Sequence, residues 1–353
     1  MEQYIGCDSH RRYSVFVVMN ERGQASAPMR VEHDRGEVRE FLRELPVGSQ
    51  VAIESTGGWY WLVDEMEAAG LKPQLANAHE AKQRMAGRNK TDKFDARGLA
   101  MELLMGTLPS VWIPPAELRD LRALMRTRLA LRAQSTQVKN RVSAAVNRYG
   151  LKEPHRDGDL FEGSGRVHLN RYVQCLPEAT QAATLRELDL LESLRDHIAA
   201  LEKQIEHRIG NREEMRLLKT LHGVGPILGA TLLLEIGEVD RFPSAARLAS
   251  YAGLVPIVHS SGGKTWHGRV PKSANLYLKW AFVEAANCIA AQRRRLKGTH
   301  VVELYERLRA AKGHGKAAVA VARHLAEASW WVLTKRQPYR EPNQARMSSS
   351  MHG

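Results

Sequence analysis

Two adjacent prolines, Pro114 and Pro115, divide this chain into stretches that cannot share one architecture. Beyond them Leu118, Leu121, Leu124, Met125, Leu129, Val138, Val142 and Val146 recur at helical spacing. A stripe this long commits the chain to a long helix. A second begins near Glu178 and runs to Arg208, with Leu191, Ile198 and Ile205 seven residues apart and Leu194 and Leu201 three after the first two. That is an a/d seam. It suits a helix hairpin within the chain or a dimerising coiled coil, and we read both helices as one layer that also supports assembly. Residues 150–175 hold Gly, Pro, His and Asp without a clear period and read as a loop or insertion.

Before the prolines, strand and helix signals alternate. Tyr4–Asp8 and Tyr13–Met19 read as strands, Glu21-Arg-Gly23 as a hairpin turn and Ala27–Val31 as a third strand. Val38–Leu45 and Trp59–Ala69 have helical spacing, the latter stopping at Gly70. Gln50–Glu54 and Gln74–Asn77 are short strands; His79–Met85 and Asp95–Met105 are helices. Three antiparallel strands followed by strand–helix alternation predict an α/β sheet domain whose order resembles the ribonuclease H-like fold.

The last third is mostly helical. Leu221-His-Gly223-Val-Gly225-Pro226 joins two apolar helical runs and resembles a helix-hairpin-helix turn, whose amides can hold a DNA phosphate or simply connect two packed helices. Ser244 is an N-cap for a short helix, Ala245–Tyr251. The glycine-rich stretch His259-Ser260-Ser261-Gly262-Gly263-Lys264 reads as a flexible loop: either a surface turn or a place where a phosphate approaches hydroxyls. Lys264, His267, Arg269 and Lys272 could neutralise that phosphate, as could Lys316 in the basic loop Ala311–Lys316. No Ser-x-x-Lys or Gly-x-Ser-x-Gly context supports a hydrolase. Asn275–Ala291 and Ala317–Leu333 are helices, and the chain after Tyr339 reads as a frayed tail. The resulting division is a sheet domain over 1–110, long helices over 111–210, a helical domain over 211–340 and a disordered tail over 341–353.

Charge selects the partner. Fifty-two Lys and Arg against 39 Asp and Glu leave +13 across 353 residues, which favours a polyanion, nucleic acid first. On the first long helix Arg119, Arg122, Arg126, Arg128, Arg132, Lys139, Arg141 and Arg148 face only Glu117 and Asp120. Such a face is either solvated or laid along phosphates, and we expect nucleic-acid contact. The cysteines, Cys7, Cys175 and Cys288, lie far apart and outside any zinc-ligand spacing, which suits a reducing cytoplasm. No stretch reaches membrane-spanning length.

Four acids complete the pattern. Asp8 ends Tyr4-Ile-Gly-Cys-Asp8 and Glu54 ends Val51-Ala-Ile-Glu54. Asp92 and Asp95 in Lys90-Thr-Asp92-Lys-Phe-Asp95-Ala-Arg lie on one helical face, close enough to share a cation. Acids at strand ends beside acids opening a helix are what a two-metal phosphoryl-transfer site requires.

Over residues 4–339 the chain resembles the transposases of the IS-one-ten insertion-sequence family, the bridge-RNA-guided recombinases related to Piv-type DNA invertases. The motifs are Ile5-Gly-Cys-Asp8, Ala52-Ile-Glu54-Ser-Thr-Gly57, Lys90–Arg97, Leu221–Pro226, Tyr251–Pro256, Ser260–Gly263 and Gly313–Lys316. The resemblance implies a RuvC-like domain in which Asp8, Glu54, Asp92 and Asp95 bind Mg2+. It implies a serine nucleophile in the Ser-Ser-Gly motif, Ser261 with Ser260 as fallback. It also implies a structured guide RNA that pairs with donor and target duplex DNA. Exchanging two duplexes takes four strand cuts, so we expect a dimer assembling to a tetramer. Many members follow the first Asp with a small or aliphatic residue and then Ser-Lys; this chain has Ser9-His10-Arg11. The rivals are a hydrolytic RuvC-like nuclease or junction resolvase, and a non-enzymatic nucleic-acid-binding protein.

Overall fold

The computed structural model describes residues 3–55, 57–77, 80, 92–151, 159–256, 258–261, 264–267 and 274–342, with backbone alone for 92–94, 258–261 and 264–267. All of the expected helix over 79–85 except Glu80, together with Arg269, Lys272 and residues beyond 342, lies outside the described residues. The chain packs into two units, 1–116 and 117–353, so the long helices belong to the same unit as the C-terminal helices.

The first unit holds strands β1 (Gln3–Ser9), β2 (Tyr13–Asn20) and β3 (Met29–Glu32), helix α1 (Arg35–Glu44), β4 (Gln50–Glu54), α2 (Trp59–Ala68), β5 (Lys72–Ala76), α3 (Asp92–Leu104) and β6 (Ser110–Val111). The sheet order is β3-β2-β1-β4-β5-β6. β1, β2 and β3 are antiparallel neighbours, β1, β4 and β5 run parallel, and β6 returns antiparallel to β5. This is the order expected for a ribonuclease H-like sheet, with the short β6 added.

β1 and β4 each hold an unbroken apolar run, Ile5–Cys7 and Val51–Ile53, because both sheet faces are covered. Ile5, Cys7, Val51, Ile53 and Leu75 pack with Val38 and Leu42 of α1 and Leu62, Val63 and Met66 of α2. The opposite face, carrying Ala52 and Ala76, packs on Leu99 and Leu103 of α3. Asp34 starts α1 by accepting from Gly36 N and Glu37 N.

The second unit begins with α4 (Ala116–Arg148), followed by α5 (Gly163–Gln174) and α6 (Glu178–Ile209). Then come α7 (Glu213–Leu218), α8 (Pro226–Ile236), a 3-10 turn (Val239–Arg241), α9 (Ala245–Tyr251), strands β7 (Val258–Ser261) and β8 (Lys264–His267), α10 (Leu276–Ala291), α11 (His300–Lys312) and α12 (His314–Lys335). The a/d seam of α6 is used inside the chain. Leu188, Leu191 and Leu194 pack with Val138, Val142 and Val146 of α4, while Ile205 and Ile209 join Leu121 and Met125. The Arg141–Glu187, Arg128–Glu202 and Arg212–Glu117 pairs fix the antiparallel sense.

Two expectations are corrected. Within 150–175 the structure has a helix, α5, which buries Leu169, Tyr172 and Val173; its short apolar face is too sparse to give a period. The chain also stays anchored past Tyr339, because Glu341 accepts from His222 Nε2 at 2.8 Å and from His300 N at 2.7 Å. No helix among the described residues is long and apolar enough to cross a membrane.

Candidate functional site

Parallel pairing of Tyr4–Cys7 with Gln50–Ile53 fixes the register of β1 on β4. One position further on, Asp8, next to last in β1, and Glu54, the last residue of β4, lie side by side, each only 8% exposed. Strands in a sheet lie about 4.8 Å apart, so two acids in register share one locale. Residues two apart share a face, which places Gly6 and Ala52 before them on the face that α3 covers. Gly6 is there for room: a methyl group would overlap the Ala96 carbonyl of α3. Ala96 packs with Val15, the register partner of Asp8. Asp95, one residue earlier and half buried, therefore lies at the same end of the sheet as Asp8. Asp92 is the first residue of α3, and its side chain is outside the described ones.

Asp8 Oδ2 lies 3.1 Å from His10 Nε2, and the His10 ring leans on Tyr13 at 4.6 Å. The unusual Ser9-His10-Arg11 run thus supplies a neighbour for the first acid. Burial pushes the Cys7 thiol up to about 12 despite its hydrogen bond with Ser14, so it stays protonated and is no nucleophile. Among the described residues, no three His, Cys, Asp or Glu groups converge closely enough to hold a metal as they stand. The donor set itself fits one. Asp8, Glu54 and Asp95 offer only carboxylate oxygens, the ligands of a hard cation such as Mg2+. Buried like charges side by side also favour a cation between them.

In the second unit the glycine-rich segment is not a loop but a β-hairpin. Ser260 pairs with Thr265 and Ser261 with Lys264. The sequence signal was present: β-forming Val258, Thr265 and Trp266 flank Gly262-Gly263, and two glycines between strands mark a tight hairpin. Its polar composition obscured it.

The second unit also holds a buried acid. Glu235, 2% exposed, sits in the otherwise apolar α8. It accepts two hydrogen bonds from Arg126, at 2.7 and 2.8 Å, and one from Asn275 Nδ2 at 2.8 Å. Burial alone would raise its pKa; the bonds from Arg126 and Asn275 and the charges of Arg126 and Arg122 outweigh that and hold it below the ordinary range. Sequence reasoning missed this group. A lone acid in Ile227–Ile236 was its only signal.

The basic face of α4 is corrected in part. Arg119 and Arg122 are buried, and Arg122 donates to the Leu234 and Glu235 carbonyls at 2.7 and 2.9 Å. Arg128 binds Glu202, Lys139 binds Asp159 and Arg141 binds Glu187. Acids distant in sequence supply these partners, so counting charges along one helix overstated the free cations. Arg132, Arg148 and Lys316 are exposed. The Leu221–Pro226 turn is a packed connection: Gly223 has φ +78° and sits against the Ala285 carbonyl, while Leu221 and Val224 are buried.

Comparison with known proteins assigns both units. A family model described as a transposase, of the DEDD type of IS110 elements, matches residues 5–150. A second, described as the transposase IS116/IS110/IS902 family, matches residues 215–300. The chain belongs to the IS110 family of insertion-sequence transposases. It is similar to a probable family 20 transposase of Pseudomonas aeruginosa, 26% identical across 87% of this chain and 90% of that protein. It is 25% identical to the transposase for insertion sequence element IS1111A of Coxiella burnetii, across 91% of this chain and 87% of that protein. An insertion element IS116 protein of Streptomyces clavuligerus is 22% identical across 94% of each. As a transposase the chain is a DNA-transposing enzyme, and the acid-lined sheet is its DEDD domain.

Proposed function

We propose that this transposase cuts and rejoins DNA through a covalent phosphoserine link, with Ser261 as nucleophile and Asp8, Glu54, Asp92 and Asp95 holding Mg2+. The observation that carries the reading is the register of β1 on β4, which ends two buried carboxylates side by side. When bound, Mg2+ would polarise the scissile phosphate and stabilise the leaving oxygen. Ser261 Oγ attacks phosphorus, its proton passes to a base, and the P–O bond to one strand end breaks with that oxygen taking up a proton. A free hydroxyl of the partner strand then attacks the phosphoserine, which restores Ser261 and closes a new phosphodiester. Bond energy is conserved, so no nucleotide cofactor is consumed. A structured guide RNA pairing with donor and target duplexes rests on family resemblance. Assembly through a dimer to a tetramer would supply the four strand cuts an exchange of two duplexes requires. Arg132, Lys264, Arg269, Lys272 and Lys316 are the cations we assign to these polyanions, with the reaction in the cytoplasm.

Denaturing gels of the protein with duplex DNA from its element's ends and the RNA that copurifies test the reading. Ser261→Ala should abolish the protein–DNA adduct, with Ser260→Ala as the control that keeps it. Asp92→Asn should abolish cleavage and adduct alike. Cleavage without any adduct would instead mark a hydrolytic nuclease.

A further inference from the structure

We propose that the Glu235–Asn275 pair is the footing of the serine hairpin and positions Ser261 for attack. The inference rests on the reading of Ser261 as nucleophile. Tyr251 ends α9, Asn275 caps α10, and the chain between them carries β7 and β8. Asn275 N donates to the Tyr251 carbonyl at 2.8 Å, tying the two ends of that stretch together. The Asn275 side chain then works in two directions. Its Oδ1 accepts from Tyr277 N and Leu278 N at 3.0 and 3.1 Å, starting α10. Its Nδ2 donates to Glu235 Oε2, and Glu235 is gripped from α4 by the fork of Arg126. Arg241 lies over the Tyr251 ring at 4.6 Å and donates to the Ile236 carbonyl at 3.0 Å. Helices α4, α8, α9 and α10 thus meet where the stretch that carries the hairpin leaves at Tyr251 and returns at Asn275.

A buried ion pair is a poor device for stability, since hydrophobic replacements often serve as well. It is a good device for orientation, because a bidentate fork and a cap each accept one geometry. In-line attack on phosphorus needs that geometry: a displacement of about 1 Å can cost on the order of a hundredfold in rate. Glu235 and Asn275 are therefore positioning residues that act through the hairpin.

Asn275→Asp separates this role from simple packing. Asp caps a helix as well as Asn does, but it sets a carboxylate against Glu235 and loses the donor. Glu235→Gln in the same chain restores a donor facing the new carboxylate. Hydrogen exchange of the full-length protein without DNA reads the footing directly. Asn275→Asp should speed exchange in peptides covering 252–274 by about tenfold or more while α8 and α10 stay protected. The single-turnover rate of adduct formation at saturating DNA should fall by about tenfold or more, with DNA affinity unchanged. The double variant should recover both. Should Asn275→Asp not fold, Asn275→Ser keeps the cap, lacks the bond to Glu235 and is expected to behave alike. Unchanged hairpin exchange, or no recovery in the double variant, overturns the footing; faster exchange with an undiminished rate overturns the positioning. An adduct that survives Ser261→Ala instead removes the nucleophile assignment and leaves the exchange result standing.

Discussion

At Gly6 a hydrogen in place of a methyl group lets α3 onto the sheet, since any Cβ there overlaps the Ala96 carbonyl. The contact is backbone against backbone, so no side-chain rotation relieves it. Gly6→Ala should lower the stability of the first unit by about 2–4 kcal/mol, read from urea unfolding followed by Trp59 and Trp61 fluorescence. A change below about 0.5 kcal/mol would mean that α3 does not sit this tightly. The sequence pointed to Asp8 and Glu54 for the same reason it pointed to the strands, because an acid ending an apolar run is conspicuous. Their company was less legible. His10 beside Asp8 and Asn275 beside Glu235 depend on tertiary contacts that no local spacing encodes.

At the level of elements, periodicity served well wherever a stripe was long. Both long helices and the order of the first five strands followed from it. Short or polar elements escaped: α5 buries three residues in twelve, and the serine hairpin pairs the polar Ser260 and Ser261 with Thr265 and Lys264. The a/d seam was visible, but its partner was not, because the same stripe suits a neighbouring chain or the same chain folded back. The structure spends it on α4, where Leu191 is fully buried among Val138, Val142 and Val146. Leu191→Ala should cost the second unit about 2–5 kcal/mol in thermal or urea unfolding at any protein concentration. A loss that deepens on dilution would instead assign the seam to an interface between chains.

For the molecule as a whole, function and stability pull against each other at the acid set. Asp8 and Glu54 are buried side by side in the first unit, where like charges raise the free energy of the native state. A cation that binds the native state alone offsets this by RT ln(1 + [L]/Kd), about 2.7 kcal/mol at a hundredfold excess over Kd. Mg2+ should therefore raise the melting temperature of the first unit, and EDTA should reverse it, with little effect on the second unit, where the buried Glu235 is paired with Arg126. Glu54→Gln removes one of the two charges. It should melt higher than the parent in EDTA, lose most of the gain from Mg2+, and form no adduct. Calorimetry of both proteins with and without Mg2+ decides this. If Glu54→Gln keeps the full Mg2+-induced gain, Glu54 holds no metal, and the side-by-side carboxylates must have another purpose.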